Sequence, residues 1–176
     1  MHSRVTLGLD AQGTFVALRA ENLSNLGARA VSLSPLGKGS TLVTGNYRIP
    51  VACVRASAAF TNTVPTQAYR SSGRPEVNYA LERTIDIAAQ RFGFDPVDIR
   101  RKNLIASSAM PYSNPLGAKY DSGEYEYALD EALRLANWNG FQERKDNAHS
   151  RGRLRGRGIA PYVESSIGSP RERADV

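Results

Sequence analysis

A short polar segment with two arginines has a composition that suits the binding of an anion. Residues 70–74 read Arg-Ser-Ser-Gly-Arg. Small side chains leave backbone N–H groups accessible to a ligand, and Gly73 can adopt positive φ. Arg70 and Arg74 add forked donors that match phosphate or oxo groups. The alternative is an ordinary loop that caps a helix, which is the commoner meaning of such a segment on pattern alone.

Few other residues could carry catalysis or bind a metal. His2 and His149 are the two histidines and Cys53 is the single cysteine, so we expect no histidine triad, no zinc site of several cysteines and no internal disulfide. Cys53 lies in an apolar run and is predicted to be a buried structural thiol. The stretch Gly-Lys-Gly-Ser-Thr at 37–41 lacks the spacing of a phosphate loop. We therefore assign no catalytic residue and no metal ligand.

Composition excludes some classes of protein. The chain has 176 residues, of which 41% are hydrophobic and 23% are charged, so neither a disordered protein nor a membrane protein is indicated. No run approaches the roughly 20 apolar residues of a membrane span. The first residues enter a strand pattern without a secretory segment, and we expect a cytoplasmic protein.

The formal net charge of +6 raises the question of nucleic acid. Part of the excess lies in the run Arg-Gly-Arg-Leu-Arg-Gly-Arg-Gly at 151–158. This run is short and has no interleaved aromatic residues, so a solvated loop or a contact for another subunit is favoured. A small basic nucleic-acid-binding protein stays open as an alternative, although nucleic acid is an unlikely partner.

The elements that must position residues 70–74 follow from local patterns. Alternation predicts a β-hairpin of strands 4–9 and 14–23, and a further strand over 51–60. Glycines in 24–46 indicate a loop with one short helix. From residue 76 the apolar positions recur at three and four residues until Gly93, which predicts an amphipathic helix.

The second half of the chain is predicted to be more helical. Asp95 caps a short helix that ends in basic residues 100–102, and a third helix covers 125–137. The stretch 106–124 is irregular because of its prolines and glycines. The residues expected on the polar side of the long helix are Glu82, Arg83, Asp86 and Arg91. Residues 157–165 alternate as a strand.

Short sequence motifs closely resemble those of the molybdenum-cofactor-binding large subunit of the xanthine dehydrogenase and aldehyde oxidase family. Within that family, the chain looks most like the bacterial aerobic carbon monoxide dehydrogenase large chains. The resemblance runs along nearly the whole chain in order and spacing. The matching words are TNTVPT (61–66), AYR (68–70), GRPE (73–76), ER (82–83), DP (95–96), RRKNLI (100–105), MPY (110–112), YDSG (120–123), ANW (136–138) and GIAPYVE (158–164).

The resemblance implies a site and a set of cofactors. It implies that Arg70, together with Ala68, Tyr69 and Ser71, faces a molybdenum–molybdopterin cofactor, with the cytosine dinucleotide form expected. Ser72 and Gly73 would then lie on the substrate side. The implied activity is an oxidoreductase that hydroxylates its substrate with water as the oxygen source. Electrons would pass to partner subunits, namely an iron–sulfur small subunit and an FAD-binding medium subunit.

Two departures from the family narrow the substrate. Relatives that oxidise carbon monoxide carry a copper-binding cysteine at the position of Ser71, and a serine hydroxyl is a poor ligand for Cu(I). Relatives that oxidise xanthine or aldehydes place a phenylalanine at the position of Ser72. Neither carbon monoxide nor a purine stacked in that way is therefore favoured.

We expect a central fragment of a molybdopterin-binding domain, of α+β fold with short mixed sheets and two or three helices. The family's preceding glycine-rich segment and its general-base glutamate are not matched, whereas Glu76 and Glu164 are assigned structural roles. The expected parts are strand-rich (1–60), cofactor loop (61–76), helical (77–140), and basic loop with terminal strand (141–176). The isolated chain is expected to be inactive without the remaining portion of the large subunit. A non-catalytic truncated or split piece is the alternative.

Overall fold

The computed structural model describes residues 1–33 and 36–164. The described residues form an α+β fold with two short sheets, which confirms the expected fold class. The strands are β1 (His2–Leu9), β2 (Phe15–Gly27), β3 (Val51–Phe60), β4 (Tyr112–Ser113) and β5 (Lys119–Tyr120). The helices are α1 (Leu36–Ser40), α2 (Arg74–Phe92), α3 (Pro96–Asn103), α4 (Tyr125–Leu135) and α5 (Phe141–Ser150). None of these helices is long and apolar enough to cross a bilayer.

The larger sheet has the order β1-β2-β3. The predicted hairpin is confirmed, because β1 pairs antiparallel with β2 across a turn in which Asp10 Oδ1 accepts the N–H groups of Gln12 and Thr14. Strand β3 pairs parallel with β2, so the chain must cross over between them, and α1 lies in that crossover. A parallel pair requires such a connection because its strands run in the same direction.

Helix α2 packs its apolar face against the sheet. Gly73 and Gly93 flank the helix, both in the left-handed conformation that glycine adopts without steric cost. The predicted face is confirmed at Val77, Leu81 and Ile85, which join the core residues of β2 in one hydrophobic cluster. Burial of each of these side chains stabilises the fold by roughly 1.5–3 kcal/mol.

The expectation that Glu82 lies on the polar side of α2 is wrong. Glu82 is 4% exposed and Arg100 of α3 is fully buried, and Arg100 Nε donates to Glu82 Oε2 over 2.8 Å. The second Glu82 oxygen accepts the hydroxyl of Tyr47 at 2.7 Å. Arg100 also donates to Asp86 Oδ1 at 2.7 Å and to the carbonyl of Pro96 at 2.8 Å. Helical period alone misassigned Glu82 because it cannot show that a buried cation lies opposite.

The same burial acts on the ionisation of this network. Burial raises the pKa of the Glu82 carboxyl, against the opposing effect of Arg100. Burial also raises the pKa of Tyr47, and the negative charge of Glu82 adds to that shift. For Arg100, burial lowers the pKa, but the Glu82 carboxylate and its neighbours outweigh this effect and the pKa rises. The buried guanidinium therefore stays charged and requires its carboxylate.

The last residue of helix α3, Asn103, forms hydrogen bonds with the hairpin of β1 and β2. As predicted, Asp95 caps the helix by accepting the N–H groups of Val97 and Asp98. The Asn103 side chain accepts the N–H of Phe15 at 2.7 Å and donates to the carbonyl of Gly13 at 2.9 Å. These buried bonds fix the hairpin turn against the helical layer.

The C-terminal part differs from the expected basic loop and strand. Residues 141–150 form helix α5, whose polar sequence has too few apolar residues to show a helical period. Residues 153–164 follow without helix or strand, so no strand begins at 157 within the described part, and Ser165 lies outside it. Alternating side chains produced the strand prediction, but no neighbouring strand of the described chain pairs with this segment.

Cys53 is exposed rather than buried, which overturns the expected structural thiol. Its strand β3 is the outer strand of the sheet and pairs with β2 alone among the described residues. An apolar run on such an edge strand is accessible along much of its length, and Val51 and Phe60 are 62% and 66% exposed. Sequence composition cannot distinguish an edge strand from a central one.

The buried network provides a stability test. We expect Glu82→Gln to lower the free energy of unfolding by about 3–5 kcal/mol, because it leaves the buried Arg100 charge without its main partner. Chemical denaturation measures this loss. Glu131→Gln, which removes a carboxylate from the exposed Arg134 pair on α4, is the matched control and should leave the denaturation midpoint unchanged. Equal midpoints for both variants would contradict the role given to Glu82.

Candidate functional site

The loop that carries residues 70–73 connects β3 to α2, and its first half is fixed to the end of β2. Thr61 Oγ1 donates to Asn25 Oδ1 at 2.7 Å, and Asn25 Nδ2 donates to Thr63 Oγ1 at 2.9 Å. Thr66 Oγ1 donates to the carbonyl of Asn25 at 2.7 Å. One asparagine thus binds three threonines of the loop, so the threonines of the TNTVPT motif have a structural role.

The backbone reinforces this attachment at Gly27. The N–H of Thr61 bonds to the Gly27 carbonyl, and the N–H of Ala28 bonds to the Thr63 carbonyl, each at 3.0 Å. Gly27 has φ +77, and a Cβ there would lie 2.4 Å from the carbonyl oxygen of Val64. Only glycine permits this approach, so the loop is held tightly against the strand.

The second half of the loop has an unusual backbone. Ser71, Ser72 and Gly73 have φ values of 63, 21 and 89, so three successive residues take positive φ before α2 begins at Arg74. The sequence predicted positive φ for Gly73 but not for the serines, because serine in this conformation carries a cost of roughly 1–2 kcal/mol. The loop also ends at Gly73, whereas the expected cofactor loop extended to residue 76.

This backbone leaves N–H groups available to a ligand. The N–H of Ser72 bonds to the Tyr69 carbonyl at 2.9 Å and the N–H of Arg74 bonds to the Ser71 carbonyl at 3.3 Å. The N–H groups of Arg70, Ser71 and Gly73 form no hydrogen bond with any described residue. Backbone N–H groups in a left-handed turn form concave sites that bind anions.

The loop borders an open depression of about 480 Å³. The residues that line it are Gln67, Tyr69, Arg70, Ser71, Ser72, Pro75, Glu76 and Tyr162. Of the residues predicted to bind the cofactor, Tyr69, Arg70 and Ser71 line the depression, as does the predicted substrate residue Ser72. Ala68 and Gly73 belong to the same loop but do not line it.

Two side chains in the depression have unused polar groups. Arg70 is exposed and forms no ion pair or hydrogen bond with the described part of the chain. Ser72 is 8% exposed, and its Oγ finds no partner among the described residues. A buried hydroxyl without a partner carries a desolvation cost that a bound polar ligand would remove.

Arg74 does not contribute free charge to the depression as its sequence position suggested. Its Nη1 forms an ion pair with Glu164 Oε1 at 2.5 Å, and its side chain is only 13% exposed. Glu164 in turn accepts the hydroxyl of Tyr162 at 2.6 Å. Burial and the hydrogen bond to Glu164 raise the pKa of the Tyr162 phenol. Tyr162 and Glu164 lie in the GIAPYVE motif, and the sequence analysis assigned Glu164 a structural role without identifying Arg74 as its partner.

The other basic segments have structural roles at several positions. The guanidinium of Arg157 lies 4.1 Å from the ring centroid of Trp138 and 4.7 Å from that of Phe141, and it donates to the Trp138 carbonyl at 2.7 Å. Such stacking is a favourable contact within the chain, so Arg157 has a structural role. Arg151 Nε likewise donates to the Asn147 carbonyl. The run 151–158 is therefore not an array of free arginines.

The glycine-rich stretch 37–41 serves packing. Gly39 is buried in α1, and a Cβ there would lie 2.5 Å from the carbonyl oxygen of Gly73. The close approach places α1 directly against the end of the loop. The described residues contain no cluster of three or more histidine, cysteine or carboxylate side chains that could hold a metal ion.

Comparison with known proteins gives one consistent result. The profile of the molybdopterin cofactor-binding domain matches residues 1–104. The gamma subunit of the 6-hydroxypseudooxynicotine dehydrogenase complex from Paenarthrobacter nicotinovorans is 31% identical over 94% of this chain and 22% of its own length. The carbon monoxide dehydrogenase large chain of Afipia carboxidovorans is 33% identical over 99% of this chain and 23% of its own length.

Solved structures agree with the sequence relatives. Quinoline 2-oxidoreductase from Pseudomonas putida 86 superposes with a TM-score of 0.78 and 29% identity, covering 85% of this chain and 20% of that one. The chain therefore spans roughly a fifth of the length of the proteins it matches.

The attachment of the loop to β2 can be tested directly. We expect Asn25→Ala to lower the free energy of unfolding by about 1–2 kcal/mol, because it removes the partner of Thr61 and Thr63. Amide hydrogen exchange of residues 61–66 should accelerate in the same variant. Ser57→Ala, on the exposed surface of β3, is the control and should change neither quantity. Unchanged exchange in the Asn25 variant would show that the loop is held in another way.

Proposed function

Since this chain belongs to the molybdopterin cofactor-binding domain family of large subunits of the xanthine dehydrogenase type, we propose that residues 68–73 form one wall of its molybdenum–molybdopterin site. The single observation that carries the proposal is the convergence in one depression of Arg70, the Ser71 N–H and the Ser72 hydroxyl, none of which has a hydrogen-bond partner among the described residues. The proposed ligand has anionic and oxo groups, which such donors complement.

The chemistry of the bound group sets what the loop must do. A molybdenum–pterin cofactor supplies the two-electron redox chemistry by which a carbon centre is hydroxylated with oxygen from water. Arg70 would bind the negative charge of the cofactor through its forked donors. The N–H group of Ser71 would add a neutral donor, and the Ser72 hydroxyl would gain a partner that the described residues do not provide. The left-handed backbone holds these donors in place before the ligand arrives.

The rest of the proposed enzyme lies beyond the described residues. Glu76 lies in the first turn of α2 and Glu164 pairs with Arg74, so neither carboxylate is proposed as the general base. We propose that the base belongs to the remaining portion of the large subunit. Electrons would leave through an iron–sulfur subunit and an FAD-binding subunit, and the cofactor would carry a cytosine dinucleotide. By itself the chain would be inactive because it supplies only one wall.

Serine at position 71 limits the proposed substrate. Ser71 lines the depression, and its hydroxyl oxygen is a hard ligand that binds Cu(I) poorly. A copper-dependent oxidation of carbon monoxide is therefore not proposed, despite the similarity to carbon monoxide dehydrogenase large chains. We propose an organic substrate, hydroxylated at carbon. Several relatives are named for such compounds, among them quinoline and nicotine.

The proposed function is tested by the molybdenum content of the chain. The chain is purified from its own host with its co-purifying subunits, and molybdenum, iron and flavin are measured. We expect near-stoichiometric molybdenum in the wild type together with iron–sulfur and flavin partners. A preparation without molybdenum and without partners would overturn the proposal in favour of a non-catalytic piece.

Arg70 provides the residue-level test. We expect Arg70→Ala to weaken retention of molybdenum roughly 10- to 100-fold, because a charge-assisted hydrogen bond contributes about 1.5–3 kcal/mol. Molybdenum remaining after extended dialysis measures the loss. Arg29→Ala removes an exposed arginine outside the depression and is the matched control. Equal molybdenum in the two variants would show that Arg70 does not bind the cofactor.

A further inference from the structure

The segment after the basic run is attached to the body of the protein at two points. Ile159 packs against the main hydrophobic cluster, and Val163 packs against a second cluster formed by Leu42, Ile105 and Tyr120. Residues 159, 161 and 163 are half-buried, whereas 160, 162 and 164 are exposed. This alternation directs Tyr162 and Glu164 away from the clusters. Tyr162 borders the depression beside Ser71, and Glu164 pairs with Arg74 at the start of α2.

The carboxylate of Glu164 links two groups on either side of the loop backbone. One oxygen pairs with Arg74 and the other accepts the hydroxyl of Tyr162. Arg74 Nη1 also lies 3.5 Å from the carbonyl of Ser71, and Tyr162 borders the depression beside Ser71. We call Arg74, Tyr162 and Glu164 the clasp.

The position of the clasp matters because the residues it encloses have an unfavourable backbone. Ser71 and Ser72 take positive φ without being glycine. Such a conformation persists only where the surrounding structure holds it. The residues that precede Ser71 are fixed to β2, but those bonds end at Thr66. Among the described residues, the clasp and the approach of Gly39 to Gly73 contact the loop between there and α2.

We propose that Tyr162 and Glu164 are positioning residues, which act through Arg74 to hold Ser71, Ser72 and Gly73 in the conformation that presents the Ser71 N–H and the Ser72 hydroxyl to the depression. This proposal rests on the proposed function, because the donors are the ones proposed to bind the cofactor. Glu164 also neutralises Arg74, so that of the two arginines at 70 and 74, only Arg70 has no ion-pair partner in the described part of the chain. Removal of the Glu164 charge would both loosen the backbone and release a second guanidinium beside the site.

Amide hydrogen exchange on the cofactor-free chain tests the clasp without any cofactor. The two informative amides are those of Ser72 and Arg74, whose bonds to Tyr69 and Ser71 close the turn. We expect Glu164→Gln to accelerate their exchange at least tenfold and Tyr162→Phe to accelerate it about threefold. Glu143→Gln, an exposed carboxylate of α5, is the control and should leave both rates unchanged.

A charge exchange separates a specific pair from a general loss of stability. Arg74→Glu alone should accelerate exchange as Glu164→Gln does, and combining it with Glu164→Arg should restore slow exchange by re-forming the ion pair in reverse. In the molybdenum-loaded complex, the electron paramagnetic resonance spectrum of Mo(V) should broaden in Glu164→Gln and stay unchanged in Glu143→Gln.

The outcomes distinguish the clasp from the function on which it rests. Unchanged exchange at Ser72 and Arg74 in Glu164→Gln would overturn the clasp, even if the wild-type complex holds molybdenum. Fast exchange without rescue by the double charge exchange would also overturn it. A wild-type complex without molybdenum would overturn the proposed function, and with it the proposal that the clasp positions donors for a cofactor. The exchange rates would still decide whether the clasp orders the loop.

Discussion

The buried guanidinium of Arg100 is the constraint on which the rest of the structure depends. A cation with no exposure requires hydrogen-bond partners, and each of the three guanidinium nitrogens of Arg100 finds at least one, on α2 or on its own helix. Through Glu82 the network extends to Tyr47, which lies in the crossover between β2 and β3. Removing any member leaves a charge or a polar group unsatisfied in the core. The network therefore sets the position of α2 relative to the sheet, and with it the position of the residues that precede the helix.

The candidate site is built on this fixed framework. The loop leaves β3, is tied to β2 through Asn25, and enters α2 where Gly39 and the Arg74–Glu164 pair meet it. Between these two attachments lie the residues that line the depression. A ligand that binds there meets donors already arranged, so less ordering entropy is lost on binding than in a free loop. The exposed charge of Arg70 and the rigid backbone beside it are complementary parts of one arrangement.

Features that depend on residues close together in sequence could be predicted, whereas contacts between residues far apart in sequence could not. The hairpin, β3, α2 and α3 follow from signals within a few residues, such as the Asp95 cap and the glycine at 93. The loop was singled out from Arg70 and its neighbours, and family resemblance connected it to a cofactor. The burial of Glu82 and Arg100 was missed because the two residues are 18 positions apart. Glu164 was assigned a structural role, but its ion pair was missed for the same reason, since its partner Arg74 lies far back in the chain. Helix α5 was missed because its polar sequence shows no apolar stripe.

The absence of a side chain at Gly39 affects the candidate site from a distance. It lies on a different helix from the depression and does not line it, yet its Cα faces the carbonyl that starts α2. Any larger side chain would push that carbonyl and turn the three left-handed residues before it. A mutational scan scored by loss of ligand would therefore rank position 39 beside the residues that touch the ligand. Such a scan would therefore count Gly39 as a ligand-binding residue, although it only packs against the Gly73 carbonyl.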